Sequence, residues 1–357
     1  MARRHWLLVH RWTALALGLH WLLLALTGFL LVFHREIETT WIGAGSPVAG
    51  PVRVGPAIAA AQEALPGRVT RVVVQDMPVR ALRVFVNVRD VPHVVTVDAE
   101  SSRILSATPL DGGASRTGII RFIYVLHQQL LLGHNGELLV GASGLFLLLT
   151  ALIGVWLGWP RRGQWKRTLW PRVAGKPWQK LYVLHRSAGL IVAVTLTLSA
   201  MTGAGMVWSK QLRQWLGAAG LAQPASSTVR SDAPVRLSPD GAVARALLAY
   251  PQAHFVRLDL PAPGAANFVV QMRQPGELRA TFGTTAVSVD GRDGNVLWQR
   301  DARQAAWGDT VLDALFAVHN GEWLGVPGRI LAALVGLLLL VTAGFGLGIW
   351  LLRPARR

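Results

Sequence analysis

The sequence predicts an α-helical membrane protein: a four-helix transmembrane bundle of two tandem repeats, with two small α+β modules between the spans. Three observations predict it. Four apolar runs of about twenty residues, Trp12 to Phe33, Leu138 to Trp159, Ser187 to Trp208 and Arg329 to Leu352, are each long enough to cross a bilayer as helix. The first run returns in the third. Val9-His10-Arg11-Trp12 is matched by Leu184-His185-Arg186-Ser187, and Leu26-Thr27-Gly28 by Met201-Thr202-Gly203, at one common offset. Finally, the basic residues gather on what would be one face of the membrane.

Composition agrees. Of 357 residues, 52% are hydrophobic and only 15% charged, and 15 are Trp. There is no cysteine, which excludes disulfides, thiolate chemistry, Cys-ligated iron–sulfur clusters and thioether-attached haem. The net charge of +17 suggests nucleic acid at first sight, but its distribution excludes that partner. Arg3 and Arg4, the loop from Arg161 to Lys180, and Arg353, Arg356 and Arg357 carry the excess and contain no acidic residue, while the two long loops are nearly balanced. That is positive-inside patterning, and it places both termini in the cytoplasm and the two long loops outside. The run after Arg4 is too long for a signal peptide and lacks a small-residue cleavage site, so it reads as a retained anchor.

Taken in order, residues 1–35 form the first span. Residues 36–118 form an external module: Pro56 to Leu65 is an Ala-rich helix stopped by Pro66-Gly67, and Val69 to Gln75, Leu82 to Val88 and His93 to Val97 alternate as strands. Residues 119–160 hold an apolar stretch with His127, the break Gly133-His134-Asn135-Gly136 and the second span. Residues 161–180 are the basic loop, with Trp165, Trp170 and Trp178 placed for a membrane surface. The third span occupies 181–209. Residues 210–310 comprise a Pro/Ser/Ala-rich linker over Gln223 to Asp240 and a second module with the first one's order. Its helix is Gly241 to Ala249, and its strands are Phe255 to Leu260, Asn267 to Met272 and Thr285 to Val289. Residues 311–357 give the fourth span and tail.

Ten histidines cluster near the spans. An ionisable side chain in or beside a membrane helix marks a functional site by default, because burying it unpaired is costly. His10 and His185 stand just before spans one and three, at the cytoplasmic surface. His127 and His319 precede spans two and four, on the outer side. The repeat thus yields one histidine pair per face. Two imidazoles from facing helices suit the axis of a six-coordinate b-type haem, and Gly18, Gly28, Gly189 and Gly203 leave room beside them. Spacing alone fits a proton path or a metal site equally well. His134 rivals His127, because His134-Asn135-Gly136-Glu137 echoes His319-Asn320-Gly321-Glu322. His20, ten residues beyond His10 on the same helix, is a third ligand or a relay. His34 lies at the outer end of span one, and His5, His93 and His254 read as surface residues.

The combination resembles the PepSY-associated transmembrane family, which includes inner-membrane reductases of iron–siderophore complexes. It rests on Leu-Val-His-Arg-Trp, Leu-Thr-Gly and Val-Phe-His-Arg-Glu-Ile-Glu at span one, and on Val-Leu-His-Gln-Gln-Leu-Leu-Leu-Gly and Gly-Trp-Pro-Arg around span two. Leu-His-Arg-Ser at span three and Val-His-Asn-Gly-Glu-Trp-Leu-Gly-Val-Pro-Gly-Arg before span four complete it. The resemblance implies PepSY-like periplasmic modules and haem b, two per chain, held by iron-axial ligands at His10, His185, His127 and His319. The departure is Gln128-Gln129, where a basic residue often follows the histidine. No Gly-rich dinucleotide fingerprint is present, so electrons would come from quinol or a reductase partner.

The resulting expectation is an electron conduit in the bacterial inner membrane, in contact with the lipid bilayer, that reduces a ferric siderophore or other iron chelate in the periplasm. Arg121, Trp307 and Trp323 would rim its outer site. A non-redox sensor or scaffold that binds peptides or regulates a protease is the alternative. A metal or proton transporter is a third reading, weakened by spans that lack buried Asp or Glu.

Overall fold

The computed structural model describes residues 2–43, 45–48, 50–75, 79–110, 116–219, 234–279 and 281–354. Most of the expected linker over Gln223 to Asp240, with Arg356 and Arg357, lies outside the described residues. The chain divides into two compact units: Met1–Phe33, Ile123–Lys210 and Val318–Arg357 form one, and His34–Phe122 and Gln211–Ala317 the other.

The first unit is helical. Its long helices are α1 (Ala2–Leu31), α5 (Gly133–Gly158), α7 (Pro177–Val207) and α11 (Gly325–Leu352). All four are long and apolar enough to span a membrane. Shorter helices α4 (Arg116–Gln129) and α10 (Trp307–His319) lead into α5 and α11, and α6 (Trp165–Leu169) lies in the basic loop. Around the bundle α1 packs on α5, α5 on α7, α7 on α11 and α11 on α1, so α1 faces α7 across a diagonal. Small residues allow close approach: Gly144 of α5 lies against Ala200 and Ala204 of α7, and Gly336 of α11 against Ala25 and Phe29 of α1.

All four spans begin earlier than expected, α5 and α11 by about one turn and α1 and α7 by ten residues. Helix α1 runs back through Arg3, Arg4 and His5, which are tolerated helix formers. Helix α7 starts at Pro177, where proline's fixed φ suits a first turn and Gln179 Oε1 accepts the Lys176 amide at 2.8 Å. His10 and His185 therefore lie inside their helices rather than ahead of them. Arginines close the helix ends: Arg3 and Arg186 donate to the Leu157 and Gly158 carbonyls at 2.8 Å each, and Arg329 donates to Val32 O at 2.7 Å.

The second unit is a sheet with helices on it. Helix α2 (His34–Ile42) precedes α3 (Val54–Ala64) and strands β1 (Arg68–Val74), β2 (Ala81–Val88), β3 (Val91–Asp98) and β4 (Ile104–Pro109). After α8 (Ser209–Trp215), α9 (Pro239–Ala249) is followed by β5 (His254–Asp259), β6 (Asn267–Arg273), β7 (Thr285–Asp290) and β8 (Val296–Arg300). The expected helices and strands fall in place to within two residues at each end. Two strands, β4 and β8, are additional; they are mixed in polarity and only partly buried, so alternation in the sequence is weak there.

Where the sequence suggests two separate modules, there is one eight-stranded antiparallel sheet, β4-β3-β2-β1-β5-β6-β7-β8. The joint is β1 against β5, with Arg71 opposite Asp259, Val72 opposite Leu258 and Val73 opposite Arg257. Each of these would otherwise be an exposed edge with unpaired backbone groups, and pairing them removes both. One apolar core runs through the joint, from Val54, Ile58 and Leu82 to Leu258, Phe268 and Met272. Asp240, in the first turn of α9, also caps α3, accepting from the Val54 and Gly55 amides at 2.6 and 3.2 Å.

Candidate functional site

Two imidazole pairs form within the helical unit. His10 of α1 meets His185 of α7 with ring centroids 6.2 Å apart, and His127 of α4 meets His319 of α10, also at 6.2 Å. A metal held end-on between two imidazole nitrogens, about 2 Å from each, sets ring centres roughly 6 Å apart. The rings are inclined at 73° in the first pair, an edge-to-face angle, and at 53° in the second.

The same ring nitrogen is engaged in all four. His10 Nδ1 lies 3.0 Å from Thr150 O, His185 Nδ1 2.8 Å from Thr342 O, and His319 Nδ1 3.0 Å from Ser199 O. A carbonyl can only accept, so these nitrogens carry the proton and Nε2 keeps its lone pair. His127 Nδ1 is 2.9 Å from Thr27 Oγ1. That hydroxyl donates to Leu23 O at 2.7 Å, so its oxygen is free to accept from the imidazole. Fixing Nδ1–H to a carbonyl or hydroxyl is how proteins orient a histidine that ligates through Nε2.

Each imidazole also rests on a glycine. A Cβ at Gly154, Gly28 or Gly203 would stand 3.0 Å from Cε1 of His10, His127 or His319, and one at Gly346 would stand 3.3 Å from Cε1 of His185. The ring thus occupies the place of a missing side chain. In the first half α1 cradles His127 of α4 while α5 cradles His10 of α1, and in the second α7 cradles His319 of α10 while α11 cradles His185 of α7. The two pairs then form across the halves.

Helix joints aim His127 and His319. After α4 the chain turns through Leu130 (φ 51°), Leu131 (φ 61°) and Gly133 (φ 58°); after α10 it turns through Gly321 (φ 80°) and Gly325 (φ 64°). Gly321 and Gly328 then pack backbone to backbone, an approach no side chain would permit.

The remaining sequence candidates separate clearly. His134 is exposed and faces Glu137 Oε2 at 3.5 Å; it joins neither pair. Its motif aligns with the wrong stretch, because the geometry matches His127 with His319 and Gly136 with Gly328. His20 joins neither pair and bonds through Nε2 to Ser143 Oγ at 2.7 Å. Gly28 and Gly203 are cradle residues, whereas a Cβ on Gly18 would meet nothing within 4 Å and one on Gly189 only Thr342 Cγ2 at 3.9 Å. Trp307 and Trp323 keep large exposed faces. Sequence reasoning missed Gly154, Gly346 and the carbonyls of Thr150 and Thr342. The signal was available, because the offset relating His127 to His319 also relates Gly154 to Gly346 and Thr150 to Thr342.

Two imidazoles do not complete a metal's coordination shell, and among the described residues no cluster of three or more His, Asp or Glu side chains could hold a bare ion. Such pairs fit a metal whose other ligands come from a macrocycle. A cavity of about 910 Å³ also opens in the sheet unit, lined by Tyr250, Gln274, Trp298, Arg300 and Asp301 among others.

The family model for the PepSY-associated TM region matches residues 7–353. A search of curated proteins finds no match.

Proposed function

This chain belongs to the PepSY-associated TM region family, a multi-pass membrane protein, and on that premise we propose that it carries electrons across the bacterial inner membrane through two b-type haems. The observation that carries this reading is the two histidine pairs with ring centres 6.2 Å apart, every imidazole anchored through Nδ1 and seated on a glycine. His10 and His185 would hold one haem and His127 and His319 the other. Bound haem supplies a one-electron couple that the twenty amino acids lack. The protein's own contribution is to fix the imidazole tautomers, exclude water with apolar helix faces and keep both sites in one rigid bundle.

The matched halves, with a helix and four strands in the same order in each, support descent from a tandem repeat with PepSY-like modules. The basic flanks support cytoplasmic termini and periplasmic loops. The electron acceptor in this reading is a periplasmic ferric siderophore or another iron chelate, and the donor is quinol or a reductase partner. A second reading, a non-redox sensor that binds peptides, draws on the cavity beside Tyr250 and Trp298.

An absorption spectrum of detergent-purified protein, oxidised and reduced, with pyridine-haemochrome quantitation, separates them. About two haems per chain, lost pairwise in His10→Ala and His319→Ala variants, is the expected result. A colourless protein that cannot be reconstituted with haem would refute the conduit and favour the sensor.

A further inference from the structure

His20 belongs to neither pair, yet it sits inside α1, roughly 15 Å along the helix from His10 and about 12 Å before Gly28. Its Nε2 lies 2.7 Å from Ser143 Oγ, and Ser143 gives its own proton to Val140 O at 2.9 Å. The hydrogen-bond network therefore assigns the His20 proton to Nε2 and leaves Nδ1 as a lone pair, the reverse of the four paired histidines. Among the described residues nothing donates to that nitrogen. It is not sealed away either, because His20 is only half-buried. An unsatisfied acceptor at mid-membrane depth is expensive, and hydrocarbon cannot satisfy it.

The surroundings suit a flat apolar ring. Ala16, one turn before His20, is small and exposed; Leu139 and Phe146 flank Ser143 on the same face of α5 and are exposed too. Trp21 Nε1 donates to Ser143 O at 3.2 Å and ties α1 to α5 next to His20. The other half of the chain lacks the feature: Thr195 and Val335 occupy the corresponding places, and Thr195 bonds to its own helix at Val192 O. The site therefore does not follow from the bundle's symmetry.

We infer that the seam between α1 and α5 at His20 and Ser143 binds the headgroup of a membrane hydroquinone, with His20 Nδ1 accepting a hydrogen bond from the quinol hydroxyl. A hydroquinone combines the depth, the flat apolar body and the donor that this position calls for. The inference names the donor for the electron-carrier reading and rests on that reading for its purpose, but binding itself needs no haem.

The test is calorimetric titration of the full-length, dithionite-reduced protein in detergent with decylubiquinol, so that only binding is read. Saturable single-site binding is expected, weakened at least tenfold by His20→Leu and by Leu139→Trp, which crowds the exposed face of α5 one turn before Ser143. His20→Gln, which can donate to Ser143 and still accept, should retain binding, and Thr195→Leu should leave it unchanged. Wild-type protein that does not saturate, or His20→Leu protein that binds like wild type, overturns the inference. If His20→Leu fails to fold, Leu139→Trp against His20→Gln decides it by the same criterion. Quinol binding by a colourless protein would instead remove the electron-carrier reading and leave this site standing.

Discussion

Replacing Gly28 by alanine separates a ligand histidine from one that merely packs. The new Cβ would stand 3.0 Å from His127 Cε1, 3.6 Å from Nδ1 and 3.8 Å from Nε2. Relaxed carbon contacts lie at about 3.5–4.0 Å, so the ring must retreat by roughly half an ångström. Its bond to Thr27, now 2.9 Å, then approaches the limit of useful hydrogen-bond geometry. In stability terms the effects nearly cancel. Alanine gains up to about 1 kcal/mol of helix propensity over glycine, and a weakened neutral hydrogen bond loses about 1 kcal/mol. A metal–nitrogen bond tolerates only about 0.2 Å, so cofactor retention should suffer although folding does not. Thermal unfolding in detergent should shift little, while haem content falls by about one per chain from the His127–His319 site. Gly18→Ala on the same helix, with open space at its Cβ, is the control and should be silent. A Gly28→Ala protein with full haem content, an unchanged spectrum and an unchanged potential would refute the cradle argument.

Other consequences can be measured directly. Asp240→Ala leaves the Val54 and Gly55 amides of α3 without an acceptor and should lower stability of the sheet unit by about 1–2 kcal/mol in chemical denaturation; an unchanged midpoint would deny the shared cap. Arg71→Ala, which removes a half-exposed ion pair with Asp259, should change it by less than about 1 kcal/mol. The turn carboxylates give a pH dependence. Burial alone would raise the Asp98 carboxyl, but hydrogen bonds from Ser101, Gly45 and Glu100 hold it below the usual range, and bonding by the Arg292 side chain lowers Asp290. A depressed folded-state value stabilises above the unfolded value, near 4, and is lost as pH falls through the folded one. The thermal midpoint should therefore drop below about pH 4, and Asp290→Asn should flatten part of that acid limb. An acid limb of equal slope in the variant would remove Asp290 from the account. Finally, Leu131→Gly relieves a left-handed leucine, φ 61°, and should be neutral or stabilising by up to about 1 kcal/mol; clear destabilisation would mean that the leucine's packing outweighs its backbone strain.

Much of this arrangement was legible in the chain. Apolar length fixes a spanning helix with no help from its neighbours, because a bilayer leaves backbone groups no partner but their own helix. A common offset then carries His10 to His185 and Thr27 to Thr202. Alternation found six of the eight strands, each with one face buried in the core. Contacts between distant segments were beyond that reading. Nothing local tells β1 and β5 to pair, or Asp240 to cap α3; both depend on where two sequence-distant edges meet. His127 and His134 look equally eligible in sequence, because seven residues return to one helical face only if the helix is unbroken. The turn at Leu130, Leu131 and Gly133 breaks it, sending His127 toward Gly28 and leaving His134 exposed. The opposite tautomers of His20 and the four paired histidines likewise depend on which carbonyl or hydroxyl stands opposite each ring. The sequence determined which residues could act. Tertiary structure decided which nitrogen each presents and to what, because that depends on the oxygen opposite each ring and on a missing Cβ beneath it.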